Sequence, residues 1–105
     1  MEKLIKNLKA LYDETRYNLL MLLLEHDLCV GALAIRLNIS EAAVSQHLKV
    51  LRSAGIVKGD KRGYYTHYYV DRKVLEEIGR QIIDLSHLVK IDEECHQDLT
   101  KNHST

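Results

Sequence analysis

The stretch Asn38–Gly55, NISEAAVSQHLKVLRSAG, limits what this chain can fold into more than any other. Ser40 is a natural helix cap, because its hydroxyl can accept from the orphan amides of a first turn. Glu41–Ala54 has neither Gly nor Pro and is rich in helix formers, and Gly55 stands where a left-handed residue closes a helix. Val44, His47, Leu48 and Leu51 recur at i, i+3, i+4 and i+7, which gives the helix one buried face. Ala42, Ser45, Gln46, Lys49 and Ser53 fall on the opposite face, with Arg52 at its flank. That face is small, hydroxylated, amide-bearing and basic, with no carboxylate at its centre. Side chains of these types approach phosphates and read base edges in a major groove. Taken alone, the helix is equally compatible with an ordinary solvated face, so its neighbours decide.

Upstream, Leu4, Ile5, Leu8 and Leu11 at helical spacing predict a short amphipathic helix over 2–11 that must dock on a core or a partner. Asp13 is placed to cap a second helix, Glu14–Glu25, whose LLMLLL run marks it as the central core helix. A third, short helix spans Cys29–Leu37, with Val30, Leu33, Ala34 and Leu37 inward, and Asn38 suits the left-handed turn after it. A short helix, a tight turn and a second helix with a polar outer face make a helix-turn-helix.

Downstream, Ile56–Lys58 reads as a strand, Gly59–Gly63 as a turn and Tyr64–Val70 as a second strand. A two-stranded hairpin tipped by Lys61 and Arg62, directly after such a helix, is a wing. Asp71 then caps a last helix running to about Val89, with Val74, Ile78, Ile82, Leu85 and Val89 close to a coiled-coil seam. A domain this small already has its core. So apolar a terminal helix therefore predicts pairing with a second copy, joined by the first helix, and a two-fold dimer on a pseudo-palindromic duplex. The expected architecture is mainly α, a winged helix-turn-helix of five helices with a β-hairpin wing. Residues 1–90 form the DNA-binding and dimerisation domain, and 91–105 a polar C-terminal tail.

Composition supports this reading. The chain has 105 residues, enough for one modest core, and its formal net charge is zero. That zero hides an asymmetry: residues 40–70 carry five Lys or Arg against two Asp or Glu, whereas 71–105 carry five against eight. A basic middle beside an acidic end fits a local nucleic-acid face. No run approaches the length of a membrane span and no signal-peptide pattern opens the chain, so the expectation is a cytoplasmic protein without membrane contact. Two distant cysteines make no disulfide scaffold, and no Gly-rich nucleophile turn or Cys-X-X-Cys suggests an enzyme. A partner-binding module on the same fold, without DNA, is the competing class.

LYDETRYNLLMLLL, DLCVGALAIRLNISEAAVSQHLKVLRSAGIV and GYYTHYYV together resemble the ArsR/SmtB group of winged-helix repressors, over about residues 8–90. The resemblance implies a homodimeric repressor that leaves its operator when an inducer binds, often a metal or metalloid, in other members a persulfide or oxidant. By position, Ser45, Gln46 and Lys49 match the family's DNA-contacting residues, and Lys61 and Arg62 its wing tip. The candidate DNA-contacting set is therefore Ser40, Ala42, Ser45, Gln46, Lys49, Arg52, Lys61 and Arg62.

For sensing, the chain departs from the best-known patterns. The metalloid-responsive motif carries two Cys flanking one residue, and here Cys29 is followed by Gly31 in the second place. The zinc-type site uses Asp and His two apart on the last helix, and here Asp84 and His87 are three apart. Glu93, Glu94, Cys95 and His96 follow. Cys29, Asp84, His87, Cys95 and His96 are the candidate sensing residues, either for a soft or borderline divalent metal ion or metalloid, or through a Cys29–Cys95 thiol pair; a repressor with no cysteine-based inducer is the third reading. Bland alternatives stand beside each: Cys29 as a packing residue, Cys95 and His96 as solvated tail, His87 as an interface residue, His47 as a hydrogen-bonded structural residue.

Overall fold

The computed structural model describes residues 2–92, in the order α1 (Glu2–Leu11), α2 (Glu14–Glu25), α3 (Val30–Leu37), α4 (Glu41–Ser53), β1 (Val57–Arg62), β2 (Tyr65–Val70) and α5 (Arg72–Ser86). The core forms where the apolar faces of these elements meet: Leu19, Leu20 and Leu23 of α2, Leu33 of α3, Val44, Leu48 and Leu51 of α4, and Ile56, Val57 and Val70 at the root of the hairpin. Ile78 is the residue of α5 buried in this core.

Local chemistry sets the element ends. Asp13 accepts from the Arg16 amide, Ser40 from the Ala43 amide, and Asp71 from the Lys73 and Val74 amides. Asn38 adopts φ 56° and ψ 47°, so the chain reverses between α3 and α4 within three residues. At the other end of α4, Gly55 has φ 76°, its amide donates to the Arg52 carbonyl, and the Ile56 amide donates to the Leu51 carbonyl. This paired closure fixes where the hairpin leaves the helix.

The structure corrects three expectations. The predicted turn over Gly59–Gly63 is mostly strand: β1 runs to Arg62, pairs antiparallel with β2 from Val57↔Val70 to Arg62↔Tyr65, and leaves only Gly63 and Tyr64 as the loop. Gly63 takes φ 65° at the first loop position, as the tight hairpin turn with glycine there requires. Gly59 stays in the strand because the side chains across from it close over it: a Cβ there would lie 2.9 Å from Thr66 Cγ2 and 3.1 Å from Tyr68 Cε1. In α1, the face turned to the core is Leu4, Asn7 and Ala10, so the expected stripe divides: Ile5 and Leu8, 48% and 38% exposed, do not enter the core of this chain and leave the docking on a partner open to them. Finally, α5 ends at Ser86 rather than near Val89. The His87 amide closes the last turn on the Asp84 and Leu85 carbonyls.

Candidate nucleic-acid interface

Helix α4 presents the face expected of it. Ala42, Ser45, Gln46, Lys49, Arg52 and Ser53 are exposed, while Val44, Leu48 and Leu51 anchor the opposite side in the core. Ser40 serves as the cap that starts the helix, its hydroxyl 3.0 Å from the Ala43 amide nitrogen. Its contribution to the interface is thus first to point the helix N-terminus, whose free amides and positive dipole end favour a phosphate.

A residue that sequence reasoning missed holds this helix in place. Arg16 of α2 donates through Nε to the Ala10 carbonyl at 2.6 Å, and its Nη1 lies 3.2 Å from His47 Nδ1. Guanidinium has no acceptor, so in this contact Arg16 donates and His47 Nδ1 accepts. One permanently charged side chain thus ties the end of α1 to the inner face of α4. His47 is the hydrogen-bonded structural residue that the periodicity suggested. The available signal was an Arg on an otherwise apolar helix, which is too common to be distinctive.

The wing is held on both faces. Opposed residues of an antiparallel pair share a face. Lys61 and Thr66 therefore lie with Gly59 and Tyr68, whereas Arg62 lies with Asp60 and His67. Lys61 and Arg62, expected together at the tip, point to opposite sides of the ribbon. Arg62 is tied down, with Nη2 2.8 Å from Asp27 Oδ2 and Nε 3.2 Å from Asp60 Oδ2. Asp27 and then Asp60 hold its guanidinium still further toward the charged form. Among the described residues Lys61 has no ion pair. On its face, Arg52 lies over the Tyr68 ring at 5.7 Å, a cation–π contact that braces the wing against α4. At the root, Leu28 and Tyr68 exchange backbone hydrogen bonds, and Lys58 pairs with Asp71 at 3.4 Å.

The sensing candidates are not gathered. Cys29 is a free, half-buried thiol at the N-cap of α3, with no side-chain cap bond. Asp84 lies on the exposed end of α5 and His87 just beyond it, both exposed. Among the described residues no three or more His, Cys, Asp or Glu side chains cluster where they could hold a metal ion. Cys95 and His96 lie outside the described residues.

A helix with a basic, amide-bearing outer face, preceded by a short helix and followed by a braced β-ribbon, defines a winged helix-turn-helix DNA-binding domain. The family model described as "Bacterial regulatory protein, arsR family" matches residues 13–58. The chain is 38% identical over 79 residues to the transcriptional activator HlyU of Vibrio cholerae, covering 72% of this chain and 73% of that protein. It is 33% identical over 69 residues to the transcriptional repressor SdpR of Bacillus subtilis, covering 66% and 77%. Among solved structures, an ArsR-like transcriptional regulator from Rhodococcus sp. RHA1 superposes with a TM-score of 0.76 at 30% identity, covering 81% of this chain and 80% of that one. The chain belongs to the arsR family of bacterial regulatory proteins, and is a DNA-binding transcription regulator. No helix among the described residues is long and apolar enough to cross a membrane.

Proposed function

We propose that this protein is a cytoplasmic, homodimeric repressor that places α4 of each protomer in successive major grooves of a pseudo-palindromic operator. The observation that carries the reading is the exposed face of Ser45, Gln46 and Lys49 on a helix locked from behind by Arg16 and His47. In the proposed complex Lys49 neutralises a phosphate, Gln46 reads a base edge, Ser45 and Ala42 allow close approach, and Lys61 reaches the backbone from the wing. Arg62 positions that wing through Asp27, and Arg52 does so through Tyr68. Pairing of protomers is supported by the far half of α5, where Ile82, Ile83 and Leu85 are 45%, 59% and 47% exposed on a helix whose first half is packed. A dimer lying over a promoter excludes polymerase, so occupancy itself represses. Fluorescence anisotropy on DNA from upstream of its own gene tests this. The reading expects two protomers per full duplex and much weaker binding to an isolated half-site; equal affinity for both would remove the paired mode.

The reading includes release by an inducer sensed at Cys29. Three consecutive residues support it: Asp27 pairs with Arg62 of the wing, Leu28 with Tyr68, and Cys29 caps the first helix of the helix-turn-helix. A metal or polysulfide bound at Cys29 would shift both DNA-reading elements together. Asp84 and His87 do not gather with Cys29, and Cys95 and His96 lie outside the described residues, so all four enter only as proposed donors and Cys95 as the proposed second thiol. Challenge of the complex with Zn(II), Cd(II), arsenite and an organic polysulfide distinguishes these. Release by one of them that is lost in Cys29→Ser supports sensing there, and unchanged release in the variant discards it.

A further inference from the structure

The outer face of α4 leaves a second basic feature unused, a cleft of about 410 Å³ between the end of α4 and the start of β1. Lys49, Arg52 and Ser53 line it from the helix, and Val57, Lys58 and Gly59 from the strand. Three of these residues are cations, one carries a hydroxyl, and none is a carboxylate. Val57 is buried beneath, so the floor is fixed by the core, while the polar side chains around it are exposed. Arg52 stands over the Tyr68 ring, and a guanidinium held in this way still has N–H donors free on its rim. The Lys58 side chain is half exposed, with its ammonium 3.4 Å from Asp71 Oδ2. Asp71 does not depend on that contact, because its Oδ1 caps α5 through the Lys73 and Val74 amides. An exposed pair of this kind contributes little, so an anion that also meets Arg52 can take Lys58 from it.

We propose that this cleft receives one backbone phosphate of the duplex, held by Lys58, the Arg52 rim and the Ser53 hydroxyl, beside the phosphate that Lys49 meets. Cations crowded on one cleft repel each other, and a phosphate between them relieves that repulsion. The source is the duplex rather than a free anion, because the cleft continues the helix face that carries Lys49. A helix lying in a major groove has a phosphate strand along its flank, and Arg52 stands at that flank. Lys58 thus exchanges Asp71 for phosphate when DNA binds, and Asp71 restrains it in the free protein. This inference rests on the DNA-reading role of α4 proposed above.

The test uses the full chain and the shortest duplex from upstream of its own gene that keeps full affinity, read by fluorescence anisotropy. Lys58→Ala, at a half-exposed side chain, should stay folded and make the slope of log affinity against log salt shallower by about 0.9. Lys58→Arg should restore the slope. Asp71→Asn keeps a cap on α5 but loosens its hold on Lys58, so it should tighten DNA binding about 2-fold or more. That gain should vanish when Lys58 is also replaced by Ala. Single methylphosphonate linkages, each removing one backbone charge, locate the contact. One linkage per half-site should cost the wild type at least ~5-fold in affinity and Lys58→Ala less than ~2-fold. If Lys58 only braces the wing root, Asp71→Asn and Lys58→Ala weaken binding alike and no linkage depends on Lys58, which would overturn the proposal. A gain from Asp71→Asn that persists without Lys58 would overturn the exchange. Saturable binding of inorganic phosphate at constant ionic strength, lost in Lys58→Ala while no linkage depends on Lys58, would make the cleft a small-anion site and overturn it too. A steep wild-type salt slope judges the DNA reading separately, so that reading can stand while this contact fails.

Discussion

Gln46 and Lys49 share one face of α4, yet their chemistry gives them different tasks. An amide can donate to and accept from an adenine edge, whereas an ammonium is a point charge that any phosphate satisfies. Gln46→Ala should therefore flatten base preference at one position of each half-site, by about 1–3 kcal/mol of discrimination, and a panel of single-base operator variants would read it. The wing offers a sharper contrast. Lys61→Ala should lower the salt dependence of binding by about one phosphate. Arg62, by contrast, is held at 2.8 Å by Asp27, so it acts by positioning. Asp27→Ala should then weaken DNA binding as Arg62→Ala does. If removing Asp27 instead tightens binding, Arg62 is a direct phosphate contact that Asp27 restrains. The sequence placed Lys61 and Arg62 together because a glycine-flanked charged run looks like a turn. Their opposite orientation follows once β1 extends through both, because successive side chains of a strand alternate between its faces.

At the scale of elements, the helix caps were the most legible features, because a cap is a local bargain between one side chain and its own next turn. Ser40→Ala should cost about 1 kcal/mol in denaturant melts and loosen the start of α4. Asp13 adds a pH dependence. The Arg16 amide donates to its carboxylate, which holds its pKa below the usual 3.8 against some desolvation, with the Arg16 guanidinium adding favourable charge. A carboxyl depressed in the fold contributes stability in full above its unfolded pKa, and that contribution is lost as pH falls through the lower folded value. The wild type should therefore lose more stability between pH 7 and pH 3 than Asp13→Asn, which retains a cap without the charge. Equal losses would show that the charge contributes nothing. Gly59→Ala should destabilise the wing, since a methyl 2.9 Å from Thr66 Cγ2 and 3.1 Å from Tyr68 Cε1 makes those side chains shift and disturbs the Arg52–Tyr68 contact. Less was legible where tertiary packing decides. The α1 stripe reads as Leu4, Ile5, Leu8 and Leu11, but the helix turns Asn7 and Ala10 inward, Ala10 where α1 meets α4 and Asn7 beside Val74 and Glu77 of α5. The Arg16–His47 tie spans 31 positions of sequence, and no local pattern announces it.

The whole molecule carries two exposed surfaces, α4 with its wing for the proposed DNA contact and the far half of α5 for a proposed second protomer. Ile82→Ser with Ile83→Ser alters side chains already 45% and 59% exposed, so the protomer should stay folded. Sedimentation should then show the dimer dissociating at higher concentration, with operator affinity falling in parallel. A folded monomer that still binds the full duplex like the wild type would separate the two surfaces. The most direct test of the central claim, that α4 engages DNA through Lys49, is the slope of log affinity against log salt on upstream DNA, for wild type and Lys49→Ala. Each phosphate neutralised on duplex DNA contributes about 0.9 to that slope through released counterions. The account predicts a steep wild-type slope and one shallower by about 0.9 in the variant. A flat wild-type slope, or one unchanged by losing Lys49, would contradict it.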